Sequence, residues 1–238
     1  MVAWRMYSEE NHDVLLFATA NARSPYEPYS WCQGVLNYDE NNASNWDIEQ
    51  DIKKSPMWRY SGGNPAIWRC PADTSTIKPA FGPLAGRIVP RVRSMAMSIW
   101  VGGWAVDSWV GTDAGCSGPA WKVYHKSPDF VNPGPARTWV LLDSREDRIN
   151  YGNVFTDMIG YPDRPVDWRF HYDFPGSYHH RAGGFSFADG HAELKRWVDD
   201  RTVPPVQKGV SLFYGQEYVP SPRNQDIFWM QERSTRRK

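Results

Sequence analysis

The segment that most restricts the fold is 184–197, "GFSFADGHAELKRW". Apolar and polar residues alternate on both sides of the Asp189–Gly190 pair, and a period of two is typical of a half-buried β-strand. Two alternating runs joined by Asp-Gly are the strongest short-range signal for a β-hairpin. We therefore expect two antiparallel strands that reverse at residues 189 and 190, and hence a sheet.

Other segments add strands and helices to this hairpin. The apolar run "RTWVLLD" (137–143) predicts a buried strand, "RVRSMAMSIWV" (91–101) alternates like a strand, and "NVFTDMI" (153–159) is expected to pair with 137–143. The segment "ASNWDIEQDIKKSPMWRY" (43–60) is the best helix signal, because acids fill its first turn and lysines precede its proline. "AWRMYSEEN" (3–11) reads as the last turns of a helix, and "DIFWMQE" (226–232) as a strand or short helix.

These elements predict one α+β domain over residues 1–238 with an antiparallel sheet. The Pro/Gly-rich stretch 78–91 is expected to form an exposed loop. Residues 102–136 have no clear period and are expected to form an irregular insertion. The basic segment 233–238, "RSTRRK", is expected to be a mobile tail.

The composition excludes several classes of function. The 27 basic and 27 acidic residues balance, which argues against nucleic acid as a partner. No apolar run of about 18 residues occurs, so no membrane span is expected. The three cysteines contain no C-x-x-C pair, which argues against a zinc knuckle, although one disulfide would be consistent with export. The 13 tryptophans suit either core packing or a sugar-binding surface.

Oxygen-bearing side chains are concentrated in "DSREDRIN" (143–150). Calcium prefers carboxylate, amide and carbonyl oxygens. If the hairpin turn lies beside this segment, Asp143, Asp147, Asn150 and Asp189 form a candidate calcium site. His179, ten residues before Asp189, would then orient that aspartate.

Two alternatives use the same region. His179, His191 and Asp143 would suit zinc or iron, since imidazole is a common ligand of both metals. A metal-dependent hydrolase of a lactone, ester or glycan would use His179 or His191 as general base together with Asp189, and the aromatic loops 100–124 as substrate wall.

A glycan-binding module is a further alternative, and it would present Trp104, Trp109 and Trp121 as an exposed row. No G-x-S-x-G elbow, dinucleotide fingerprint or P-loop occurs in the chain.

The spacing of His179, nine residues and Asp189–Gly190 resembles the C-terminal signature of the prepilin-type, processing-associated H-X9-DG proteins, which are pseudopilin-like. Further blocks resemble the family in order along the whole chain: "VAWRMYSEENHD", "SPMWRYSGGNPAIWRCPAD", "PRVRSMAMS", "VLLDSREDRIN", "FSFADGHAELKRW" and "DIFWMQERSTRR". One departure is Ser144, because the family usually carries an acid beside the aspartate at that point.

The resemblance implies a type IV pilin-like fold, in which an N-terminal helix packs on an antiparallel sheet with long loops. It also implies a periplasmic or extracellular domain, anchored through an apolar helix that would precede this chain. Its partners would be other pilin-like subunits or secretion components. Related major pseudopilins hold calcium in a C-terminal loop, so the first function we expect is a non-enzymatic, calcium-binding subunit of a secretion or surface-assembly system.

Overall fold

The structure is a computed structural model that describes residues 1–20, 24–104, 120–212 and 215–238. Two α-helices and nine β-strands lie in these ranges. The helices are α1 (Val2–Glu10) and α2 (Gln225–Glu232). The strands are β1 (Thr76–Ile77), β2 (Val89–Pro90), β3 (Met95–Ser98), β4 (Trp139–Asp143), β5 (Asn153–Val154), β6 (Arg169–His171), β7 (Ala182–Phe187), β8 (Ala192–Arg196) and β9 (Tyr218–Pro220).

The central sheet has five strands in the order β5-β3-β4-β7-β8. Strands β3, β4, β7 and β8 pair antiparallel, whereas β5 pairs parallel to β3. The sheet is therefore mixed. The expectation that 153–159 pairs with 137–143 is wrong, because β5 lies on the far side of β3. Two small sheets, β1-β2 and β6-β9, flank the central one.

The predicted hairpin is confirmed, with β7 and β8 in register from Ala182 opposite Arg196 to Ser186 opposite Ala192. Its turn is closed by the N–H of Gly190, which donates to the carbonyl of Phe187 at 2.9 Å. Gly190 has a φ of 102°, the positive value that favours glycine. Asp189 does not share it, so the reversal is a three-residue loop rather than a two-residue type I′ turn.

Strand β4 is buried on both faces, as its continuous apolar sequence predicts. Val140 packs in one core cluster with Met97, and Leu142 packs in a second with Phe185. Both clusters depend on β4 as the strand between them. The last residue of this buried strand is Asp143, and the fold therefore carries a carboxylate into the interior.

The prediction of a type IV pilin-like fold is wrong. Helix α1 has nine residues and contacts the 3-10 turn Trp58–Ser61, through an edge-on Tyr7–Tyr60 ring pair and a 2.7 Å hydrogen bond from the Tyr60 hydroxyl to Glu10. The sheet is mixed rather than antiparallel, and the only other helix described is the short α2. The coarser α+β class is consistent with this arrangement.

The helix predicted over 43–60 is also wrong, since 3-10 turns and other turns occupy the segment. The buried Asn45 side chain accepts the N–H of Asn37 at 3.0 Å and donates to the carbonyl of Asp39 at 3.1 Å. Polar side chains that bond to more distant backbone compete with the helical ladder. Tertiary hydrogen bonds here override helix propensity.

The ends of the chain and the loops differ partly from expectation. The sequence predicts that residues 233–238 form a mobile tail. In the structure Ser234 and Thr235 are fully buried and Arg237 and Lys238 are exposed, and the N–H of Lys238 donates to the carbonyl of Ala120 at 2.7 Å. Residues 78–91 form mostly turns between β1 and β2, as expected for a loop. Part of the expected 102–136 insertion, residues 105–119 with Trp109 and Cys116, lies outside the described residues. In the part that is described, no helix has both the length and the apolar character needed to cross a bilayer.

Candidate metal centre

Three chain segments meet at the buried end of β4 and bring together Cys70, Asp143 and His179. The Sγ atom of Cys70 lies 3.2 Å from Nε2 of His179, and the same Nε2 lies 3.4 Å from Oδ2 of Asp143. All three candidate ligand atoms lie within 4.8 Å of one another. A thiol, an imidazole and a carboxylate therefore converge on one small volume.

Asp143 is 1% exposed, and the backbone fixes one of its carboxylate oxygens. The N–H of Gly184 donates to Oδ1 at 2.5 Å, whereas Oδ2 is buried without a hydrogen-bond partner and faces His179. Burial raises the pKa of Asp143 to about 6, although the Gly184 N–H, His179 and the Cys70 side chain act in the opposite direction. An unsatisfied buried carboxylate oxygen is costly, and a cation at this point would satisfy it.

Glycines make the room in which this carboxylate lies. A Cβ on Gly176 would stand 2.9 Å from the carbonyl oxygen of Asp143 and 3.1 Å from its Cγ. A Cβ on Gly183 would stand 3.3 Å from Oδ1 of the same residue. Larger side chains at either position would displace the carboxylate, so these glycines are needed for close approach of the backbone.

Cys70 follows the 3-10 turn Pro65–Trp68 and is 2% exposed. Its N–H donates to the Ser94 hydroxyl at 2.7 Å, and the carbonyl of Ser94 accepts the N–H of Ser144 at 2.8 Å. Ser94 thus ties the cysteine segment to the residue that follows Asp143. The position of Cys70 is set by the sheet rather than by its own loop.

The electrostatics at Cys70 favour the neutral thiol in the absence of a cation. Burial raises the pKa of the Cys70 thiol, and the nearby Asp143 carboxylate raises it further. The backbone N–H groups of Ala72 and Asp73 donate toward the sulfur and act in the opposite direction. The "CPAD" turn thus supplies two backbone N–H donors to the sulfur of Cys70.

His179 lies in the turn that leads into β7, and its side chain is 31% exposed. Its N–H donates to the carbonyl of Ala182 at 3.3 Å. His180 and Arg181 have positive φ values of 52° and 66°, which reverse the chain directly after the histidine. The imidazole therefore closes the centre from the solvent side.

Two of the predicted calcium ligands are committed to other partners. Asp147 is fully buried and forms a bidentate ion pair with Arg145, at 2.9 and 2.7 Å, and it also accepts the N–H of Gln207. The Asn150 side chain donates to Asp173 at 3.3 Å and accepts the N–H of Tyr151. The structure does not bring either residue to the Cys70–Asp143–His179 centre.

Asp189 and His191 lie at the tip of the hairpin. Their side chains pair with each other at 2.6 Å, and both are at least one-third exposed. The N–H of Ala188 donates to the carbonyl of Thr138, so the tip lies at the beginning of β4, whereas Gly184 contacts Asp143 at its end. Five residues of strand separate the two points, or about 17 Å. The predicted convergence of Asp189 with Asp143 and His179 is not found.

The arrangement does not suit a cysteine nucleophile. In a Cys-His-Asp triad, the nucleophile and the carboxylate contact opposite nitrogens of the imidazole. Here both contact Nε2 of His179, and the pKa of Cys70 is raised rather than lowered. Nor does it suit calcium, which takes oxygen ligands only. A transition metal is the ion whose preferences match this donor set.

The glycan alternative has little support from the described tryptophans. Trp104 and Trp121 are half-buried, and each contacts a tyrosine ring. The ring centroids of Trp104 and Tyr151 are 5.6 Å apart, and those of Trp121 and Tyr161 are 6.1 Å apart. Trp109 lies outside the described residues. The structure therefore gives no exposed row of indole rings among the residues it describes.

Sequence reasoning identified Asp143 and His179 but missed Cys70 as their partner. Cys32 and Cys70 are both free and buried, and among the described residues only Cys70 belongs to a cluster of three ligand-type side chains. The available signal was the "CPAD" turn, which places two backbone N–H groups behind a cysteine sulfur.

Comparisons with known proteins identify no relative of this chain. No protein-family model matches it, and neither a curated protein nor a solved structure is significantly similar to it. The resemblance to H-X9-DG proteins therefore stays a prediction, and the assignment of function depends on the centre itself.

Proposed function

We propose that the protein binds a zinc ion through Cys70, Asp143 and His179, and that it is a zinc-dependent hydrolase. The observation that carries the proposal is the convergence of a buried thiol, an imidazole and an unsatisfied carboxylate oxygen on one point. This is the metal-dependent alternative predicted from the sequence, with one new ligand and without Asp189 or His191.

The distances support zinc. Tetrahedral zinc with typical bond lengths to sulfur, nitrogen and oxygen places sulfur about 3.6 Å from nitrogen, and nitrogen about 3.4 Å from oxygen. The corresponding distances here are 3.2 and 3.4 Å. These two pairs therefore need to move by only a few tenths of an ångström to accept the ion, and the sulfur of Cys70 lies within 4.8 Å of the carboxylate oxygen.

The number of ligands favours a catalytic over a structural ion. Structural zinc sites have four protein ligands, whereas catalytic sites have three and leave one position for water. Among the described residues, three ligand-type side chains converge here. Zinc lowers the pKa of bound water toward neutrality and polarises a carbonyl, which is the chemistry of ester or lactone hydrolysis.

Zinc titration of EDTA-treated protein tests the binding part of this proposal. Since zinc would bind the folded form, a zinc concentration of 1,000 times Kd should stabilise it by about 4 kcal/mol. For a chain of this size, that corresponds to a rise in Tm of roughly 8–16 °C. Cobalt(II) substitution should give the absorption bands of a thiolate-bound metal.

Variants separate this centre from other metal contacts. Cys70→Ser, Asp143→Asn and His179→Gln should each lose most of the zinc-induced shift in Tm. His191→Gln is the matched control, because that histidine also pairs with an aspartate but lies at the hairpin tip. Equal zinc responses in His179→Gln and His191→Gln would refute the assigned site.

Hydrolysis needs its own measurement. The zinc-loaded protein should cleave members of a panel of activated esters and lactones, and Asp143→Asn should abolish that activity. If the protein binds zinc specifically but hydrolyses every panel member no faster than Asp143→Asn does, the ion is structural.

A further inference from the structure

A groove of about 690 Å³ lies beside the centre, and Cys70 forms part of its wall. Most of the wall is apolar, with Trp46, Ile48, Leu84 and Val89 among its residues. The groove has the size of a small-molecule site, for which an apolar lining with a few polar groups is typical.

Three charged side chains also line the groove, and two of them neutralise each other. Arg69 lies 3.5 Å from Asp73 in an ion pair, and the Asp73 carboxylate also accepts the N–H and the hydroxyl of Ser75. The third charged side chain is Arg91. The net charge of the wall is therefore that of Arg91.

Arg91 is 1% exposed, and within the described part of the chain its nearest opposite charge is the Asp73 carboxylate, which acts on it from beyond ion-pair distance. One terminal nitrogen donates to the carbonyl of Glu146 at 2.8 Å, and the guanidinium stacks over the Tyr38 ring at 4.3 Å. Its Nε and second terminal nitrogen are buried without a hydrogen-bond partner. These two nitrogens carry three of the five guanidinium N–H groups, and Tyr38 is the one side chain in close contact with this part of the cation among the described residues.

A buried charge without an ion-pair partner at close range is costly, and a carboxylate is the group that removes the cost most directly. The guanidinium presents its N–H groups in a fork that matches the two oxygens of a carboxylate. The rest of the wall offers apolar surface. A ligand that satisfies both features has a carboxylate at one end and an apolar body.

We propose that this groove binds a small amphiphilic carboxylate, whose charged end pairs with Arg91 and whose apolar part packs against Trp46 and Leu84. The site goes beyond the proposed zinc centre and does not require the metal. Its ligand would lie beside Cys70, so the groove would also select the substrate of the proposed hydrolase.

The test uses 4-phenylbutyrate as the probe, with 4-phenyl-1-butanol as its uncharged match and butyrate as its match without the ring. Calorimetric titrations are run on the full chain, both with EDTA and with saturating zinc. 4-Phenylbutyrate should bind at least about ten-fold more tightly than either match, in both conditions, which corresponds to about 1.4 kcal/mol.

Substitutions assign the preference to the groove. Arg91→Gln should remove the preference for the acid over the alcohol, whereas Arg87→Gln, at an exposed position outside the groove lining, should keep it. Leu84→Glu is a second variant in case Arg91→Gln does not fold. It places a negative charge in the groove wall and should weaken binding of the acid more than that of the alcohol.

Several results would overturn the inference: equal affinity for acid and alcohol, an unchanged preference in Arg91→Gln or Leu84→Glu, or binding of inorganic phosphate as tight as that of the probe. The two proposals fail separately. Binding of the acid without binding of zinc would refute only the proposed zinc centre. Binding of zinc without binding of the acid would refute only the proposed ligand groove.

Discussion

The buried carboxyl of Asp173 predicts how the free energy of unfolding changes with pH. It is 3% exposed, and its carboxylate accepts the N–H of Phe155 at 2.9 Å and the Asn150 side chain at 3.3 Å. Burial raises the pKa of Asp173 to about 7, against the opposing effect of these hydrogen bonds and of the nearby Arg148 and Arg93 charges. In the unfolded chain the pKa of an aspartate is about 3.9.

The sign follows from proton linkage. Between pH 4 and 7 the folded protein holds a proton at Asp173 that the unfolded chain has released, so the free energy of unfolding falls as pH rises. This loss of stability is complete once the pH exceeds the pKa of Asp173 in the folded protein. A difference of about three pKa units corresponds to about 4 kcal/mol at pH 8.

Asp173→Asn removes the titrating group and keeps an oxygen that can accept the N–H of Phe155. At pH 8 the variant should be more stable than the natural protein by up to about 4 kcal/mol, less about 1 kcal/mol for imperfect hydrogen bonding. At pH 4.5 the two proteins should differ little. Urea denaturation followed by tryptophan fluorescence at several pH values, with EDTA present, measures this difference.

A difference in stability that does not change with pH would refute the reasoning. So would a variant that is less stable at pH 8, because it would show that Arg93 and Arg148 stabilise the ionised Asp173 by more than its burial destabilises it. Equal m-values for the two proteins are required for the comparison, since a change in m would indicate a change in one of the end states rather than in the charge.

Two further substitutions probe the centre and its surroundings. Gly176→Ala should weaken zinc binding at least about ten-fold, because the new Cβ displaces the Asp143 carboxylate, whereas Gly134→Ala, with no atom within 4 Å of the new Cβ, should leave it unchanged in the same titration. Asp147→Ala should lower the free energy of unfolding by about 3–5 kcal/mol, since it leaves the buried Arg145 without its partner. That loss should be equal with and without EDTA in urea denaturation, and a loss confined to the metal-loaded protein would restore Asp147 as a metal ligand.

The features that were predictable from sequence are those whose signal is local. The β7-β8 hairpin, strand β4 and helix α1 each follow from a periodicity or turn contained within a few residues. The segment 43–60 also has a local helical signal, but Asn45 bonds to residues six and eight positions away instead. Local propensity was overruled there by tertiary hydrogen bonds, which a single sequence does not reveal.

The centre was only partly predictable, because its ligands come from three distant segments. Cys70 and His179 are 109 positions apart, so no spacing rule for metal ligands connects them. Asp143 was identifiable as an acid that ends a buried apolar run. The contribution of Cys70 depends on the hydrogen bonds of Ser94, which tie two loops together, and such bonds are visible only in the structure.

The H-X9-DG spacing has a geometric meaning that differs from the one expected. His179 lies just before β7, and the Asp189–Gly190 turn lies just after it, so the intervening residues mainly measure the strand Ala182–Phe187. Six residues of extended chain cover about 20 Å. The two ends of the motif are therefore held apart by the strand between them, and they serve different purposes. Gly190 closes the hairpin, whereas His179 is carried to the opposite end, where antiparallel pairing of β7 with β4 places it beside Asp143. The spacing therefore fixes the length of β7, and with it the position of His179 relative to β4. Only the histidine of the motif reaches the centre, and its partner there is Asp143 at the end of β4.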